Sequence, residues 1–225
     1  RSMTSKEGSH PRATYLLHTG YLPIPGVRHP TLGSIVAQGL ARPGSDAEGD
    51  ELPPVVRIGA RGRGDSGAGI LGMAWEPFEI RDPSEPPANT APVVDADRFR
   101  RRLDLGGRLA AGFAAQLPQE AADHASLLAR AGRLIHSPSM AAFDVDREDD
   151  AARSLYGEGD FATGCLLARR LVEHGVSFVE VVCDGWDTHQ ENAERTTRLA
   201  GRVDRPMAAL VRDLADRGLL DDTLV

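Results

Sequence analysis

The stretch from Val176 to Asn192 constrains the fold of this chain more than any other. Its first half, Val176-Ser-Phe-Val-Glu-Val-Val182, is rich in β-branched and aromatic residues and holds neither Gly nor Pro, which predicts a buried strand of an α/β sheet. The run stops at Asp184-Gly185, and Asp187, His189 and Asn192 follow. Open α/β sheets bind their ligands outside the carboxyl ends of the strands. A carboxylate and an imidazole placed there can turn toward one cation, and both are ordinary ligands of zinc-like metals. The same residues also read as a helix cap and a solvated first-turn imidazole, because a full site takes three or four ligands. Trp186, between strand and pair, is expected to pack beneath the loop and hold it, with Asn192 in a supporting place.

The flanks of this stretch point to alternating helix and strand. Asp160 reads as the cap of an amphipathic helix ending near His174, with Phe161, Cys165, Ala168 and Val172 on its apolar stripe. Arg169, Arg170 and Glu173 are expected on its outer face. Gly175 ends the helix and feeds the strand, giving half of a βαβ unit. Leu199, Val203, Met207, Leu210 and Leu214 then describe one long helix with a kink at Pro206, stopped by Gly218. Leu219 to Val225 is expected to enter the next parallel strand, so the chain reads as an internal piece truncated at both ends.

Upstream, Pro11 to Thr19 predicts a short helix stopped by Gly20. Ser9 and His10 then sit at its N-terminus, where free N–H groups favour an anion or a developing negative charge. The same position also suits a plain Ser9 cap and an exposed His10. Thr31 is expected to cap a helix over 32–40, and Pro54 to Ile58 is a short strand. Gly62, Gly64 and Gly67 satisfy G-x-G-x-x-G, but no long helix follows, and a flexible loop is the better reading. Residues 76–97 hold five prolines and read as an extended surface excursion, so that 41–97 forms a loop-rich variable region. Helices are expected over 97–113 and 119–135, with His124 and His136 at the surface. The acidic segment 142–150 lacks the Gly of a calcium-binding EF-hand loop.

Composition narrows the partners. With 225 residues the chain can bury one α/β core. Its 26 basic against 33 acidic side chains give a net charge of −7, which disfavours nucleic acid, so Arg98, Arg100, Arg101 and Arg102 read as a solvated helix face. No transmembrane segment is expected, since no apolar run reaches about 20 residues. Cys165 and Cys183 read as two buried free thiols, with a disulfide from helix to sheet as the alternative.

Several strings together resemble a bacterial family. They are Asp160-Phe-Ala-Thr-Gly-Cys-Leu-Leu-Ala-Arg-Arg-Leu-Val-Glu-His-Gly-Val-Ser-Phe-Val, then Gly185-Trp-Asp-Thr-His, then Arg217-Gly-Leu-Leu-Asp-Asp-Thr-Leu-Val. Ala141-Ala-Phe-Asp, Arg153-Ser-Leu-Tyr-Gly157, and Gly8 to Tyr21 with His10 and His18-Thr-Gly-Tyr add to them. The pattern is similar to domain-of-unknown-function family 1501, which is grouped with the alkaline phosphatase and sulfatase superfamily. The resemblance implies an α/β fold over 1–225: one domain with a mostly parallel central sheet and helices on both faces, incomplete in this stretch. It implies an exported protein, at the periplasm or cell surface, that binds a divalent metal such as zinc or calcium. It further implies hydrolysis of a phosphate or sulfate ester on a small molecule or a polysaccharide.

By the same resemblance Asp187 and His189 are metal ligands, and Ser9 and His10 meet the substrate. The sequence departs from the superfamily at both places. His10 falls where the nucleophilic Ser or Thr would sit, with Ser9 one residue before it. Asp187 and His189 are also closer together than the superfamily's Asp–Xaa–Xaa–Xaa–His pair. A non-catalytic exported binding protein that keeps the fold is the alternative.

Overall fold

The computed structural model describes residues 7–41, 52–59, 67–90, 94–114 and 118–225. These fall into two compact units. In the first, local stops and caps set the helix ends. Helix α1 (His10–Thr19) carries Pro11 in its first turn and stops at Gly20, whose φ of 78° is a left-handed conformation that glycine enters without cost. Helix α2 (Leu32–Leu40) is capped by Thr31, whose hydroxyl oxygen accepts the Ser34 N–H at 3.3 Å. The segment between them is pinned by His29, which stacks on Tyr21 with ring centres 4.1 Å apart and donates its backbone N–H to the Tyr15 hydroxyl at 2.8 Å. Helices α3 (Ala96–Ala114) and α4 (Pro118–His136) meet at Gly132, where a Cβ would lie 2.6 Å from Leu103 Cδ1.

The second unit is built on a three-stranded parallel sheet in the order β2-β1-β3. The strands are β1 (Val55–Ile58), β2 (Phe78–Ile80) and β3 (Phe178–Val181). In the β1–β2 register Val56 faces Phe78 and Ile58 faces Ile80. On the other side the Val182 N–H donates to the Ile58 carbonyl at 2.9 Å. The central strand is buried at all four positions, Arg57 included. Arg57 reaches sideways to Glu180 of β3 at 3.1 Å and to Glu79 of β2 at 3.7 Å. Two expectations change here. The proline-rich excursion contains a strand, β2, too short to show a period. The run from Val176 yields a half-buried strand, because the sheet places it at the side and gives the buried centre to β1.

Helices α5 (Asp150–Tyr156), α6 (Asp160–Glu173) and α7 (Asn192–Asp216) complete this unit. Helix α6 lies against the sheet at Gly164, where an added Cβ would come within 2.9 Å of Val181 Cγ1 and 3.3 Å of Ile58 Cγ2. Its N-cap is Gly159; Asp160 is already helical and puts its charge in the first turn, where it favours the helix dipole. Pro206 is buried within α7. After α7, Leu220–Asp222 form a 3-10 turn where a strand was expected. Cys165 is buried and Cys183 half-buried, both as free thiols; burial, then the neighbouring Cys183, raises the Cys165 pKa to about 12.

The largest departure from expectation is on α6. Arg169 is wholly buried and Arg170 nearly so, instead of facing solvent. Arg169 lies 2.6 Å from Glu148, 2.7 Å from Glu173 and 3.0 Å from Asp213. Its Nε and Nη2 approach their carboxylates outside hydrogen-bond geometry, so those two contacts are ionic. Arg170 pairs with Glu148 and donates to the Ala142 and Ala141 carbonyls at 3.0 and 2.6 Å. Arg217 joins Asp213 at 2.7 Å and Glu173 at 2.9 Å, and the Tyr156 hydroxyl donates to Asp213 at 2.8 Å. Burial of such charges is tolerated because each finds opposite charge within reach.

The same contacts set the protonation of these groups. Burial alone would raise the Glu148 pKa, but the guanidiniums of Arg169 and Arg170 outweigh it and hold it below the usual carboxylate range. Asp213 is held low in the same way, against burial, by Arg217, Tyr156 and Arg169.

Candidate metal site

The loop that carries the predicted pair begins where β3 ends. Gly185 makes the turn at φ 101°, a conformation open to glycine, and its α-carbon faces Leu199 of α7, since an added Cβ would lie 3.4 Å from Leu199 Cδ2. Trp186, expected to pack beneath the loop, is instead 45% exposed, because the chain has already turned outward at Gly185. The loop re-enters α7 through Glu191, a non-glycine residue at φ 50°. Such residues cost on the order of 1 kcal/mol and persist where surrounding structure demands that path.

Asp187 and His189 both lie in this loop and are exposed. His189 Nδ1 is 3.0 Å from Asp187 Oδ1 and 3.5 Å from the Asp187 carbonyl oxygen. Thr188 stands between them. Its hydroxyl donates to Asn192 Oδ1, which also accepts from the Thr196 hydroxyl at 3.1 Å. Asn192 thus anchors the loop to the first turn of α7 through Thr188. The carboxylate and the imidazole face each other in the loop that follows β3.

Ser9 and His10 belong to the first unit, at the start of α1. Ser9 is the N-cap by backbone position, yet its side chain makes no capping bond. A carboxylate that the sequence reasoning missed stands beside it: Glu7 Oε1 accepts the Ser9 N–H at 3.2 Å, and Glu7 Oε2 meets Arg12 Nε at 2.6 Å. The Arg12 contact, and then the Ser9 N–H, hold the Glu7 carboxyl below its ordinary pKa. The signal was an acidic residue two positions ahead of a helix N-cap, where anions are favoured. The Gly62 and Gly64 positions of the glycine motif lie outside the described residues, and Gly67 is followed by a 3-10 turn at Gly69–Leu71. Among the described residues no helix is long and apolar enough to cross a membrane.

The fold and this loop define an α/β protein with a short parallel sheet and an Asp/His pair beyond a strand end. A family model described as "Protein of unknown function (DUF1501)" matches residues 1–225. The chain belongs to that family. No curated protein and no solved structure matches it.

Proposed function

We propose that the chain is part of a metal-dependent hydrolase of the alkaline phosphatase and sulfatase kind, acting on a phosphate or sulfate ester. The observation that carries this is the exposed Asp187–His189 contact, 3.0 Å between Oδ1 and Nδ1. Its donor set, one carboxylate and one imidazole, fits a divalent ion of the zinc or calcium type and supplies two of the ligands such an ion takes. When bound, the ion serves as a Lewis acid toward an ester oxygen. Thr188 and Asn192 hold the loop shape. Ser9 and His10 are assigned to the substrate by resemblance, with His10 as acid/base or acceptor. Export to the periplasm or cell surface belongs to the same reading.

One observation favours a second reading, a non-catalytic binding protein. Glu7 already accepts the Ser9 N–H at 3.2 Å, a group that an ester anion at this helix terminus would seek. Elemental analysis of wild type, Asp187→Ala and His189→Ala tests the metal assignment, with divalent metal expected to fall in both variants. Equal content in all three rejects it. Aryl phosphate and aryl sulfate assays on metal-loaded wild type and His10→Ala then separate hydrolase from binding protein: turnover that His10→Ala removes supports the first, and metal without turnover supports the second.

A further inference from the structure

The first unit holds a feature that the metal proposal does not involve. Between α3 and α4 runs an open groove of about 1000 Å³. Its apolar lining comes from Phe99, Leu103 and Gly107, one per turn of α3, and from Leu128 and Ala129 of α4. Ligand clefts occupy this size range and share a largely apolar lining with a few placed polar groups.

Gly107 lines the groove. It sits within a 19-residue helix, where glycine costs about 1 kcal/mol relative to alanine. Among the described residues packing does not require it, since an added Cβ would meet nothing within 4 Å. The contrast is Gly132 across the groove, where a Cβ would strike Leu103. Gly132 lets the helices touch, whereas Gly107 leaves space unfilled.

The charge of the groove gives the occupant. Among the described residues Arg100, Arg108 and Arg133 line it together with one carboxylate, Asp104, and Arg100 is itself paired with Asp97 at 2.6 Å. His136 closes the end of α4 with its ring edge-on to Phe99, centroids 5.2 Å apart. This positive rim stands on a chain of net charge −7. From Phe99 to Arg108 the groove runs about 14 Å along α3, roughly the reach of an extended twelve-carbon chain. We infer that the α3–α4 groove binds an anionic amphiphile, its alkyl chain lying over Leu103 and Gly107 and its acid group at Arg108 or Arg133, which flank that stretch.

The test is calorimetric titration of the protein with dodecanoate and with dodecyltrimethylammonium, both below micelle formation. Dodecanoate should bind at least tenfold more tightly. Gly107→Leu, which fills the groove, should weaken dodecanoate at least tenfold while leaving thermal stability equal or higher. The double variant Arg108→Glu/Arg133→Glu, altering two exposed side chains, should reverse the headgroup preference and decides the matter if Gly107→Leu fails to fold. Equal binding of the two amphiphiles overturns the proposal, as does dodecanoate affinity untouched by both variants. Self-association that Gly107→Leu abolishes, without dodecanoate binding, would give the groove to a second copy instead.

Discussion

Arg169 and His189 each lie against carboxylates in the same unit, one enclosed between α6 and α7, the other on an exposed loop. Around Arg169, three carboxylates and two further arginines pair with one another, and these contacts hold elements together. The Asp187–His189 contact lies in solvent, where such a pair adds little stability. Enclosure ties charge into the packing of elements, whereas exposure leaves the pair in solvent. The contrast shows that strong ion pairing by itself marks neither role, and that the place of the pair in the fold does.

The sharpest way to break this contrast is Arg169→Met. It leaves Glu148 and Asp213 short of a buried partner, and a loss of about 3–5 kcal/mol in urea unfolding is expected. A loss below about 1 kcal/mol would make the two clusters energetically alike. Gly164→Ala should cost about 1–3 kcal/mol, because its methyl would press on the stiff Val181 side chain where α6 meets the sheet.

Acid offers a third probe. Glu148 and Asp213 have folded-state pKa values below their unfolded ones. Their contribution is therefore present above the unfolded values, about 4.3 for Glu and 3.9 for Asp, and is lost as pH falls through the folded values. Chemical unfolding from pH 6 downward should show stability declining below about pH 4–5, with the decline smaller in Glu148→Gln. The smallest effect belongs to the loop: His189→Ala should change unfolding free energy by less than about 0.5 kcal/mol while changing metal content. A large stability loss there would make His189 a structural residue.

The sequence made the loop legible and the ion cluster illegible for one physical reason. Asp187 and His189 are neighbours in the chain, and a strand followed by Asp-Gly suffices to place them. Arg169 meets Glu148 and Asp213, far away along the chain, so nothing local distinguishes it from a solvated arginine beside Arg170. Helices α6 and α7 were readable from their periodic stripes. Strand β2 was not, since three residues among prolines carry no period and its identity comes from pairing with β1. The burial of β1 over β3 likewise depends on strand order, which hydrophobicity alone does not encode. Trp186 misled because large aromatics usually seek cover, while here the turn at Gly185 directs it outward.

Arg57 has a consequence for how this sheet assembles. The strands are three and four residues long, so few ladder hydrogen bonds distinguish the right alignment from a neighbouring one. A slip of one residue would send Arg57 to the opposite face of the sheet and strand its guanidinium away from Glu79 and Glu180. Such a misaligned sheet would bury a cation without its carboxylates, which is costly. Arg57 thus ties the alignment of all three strands to one pair of carboxylates.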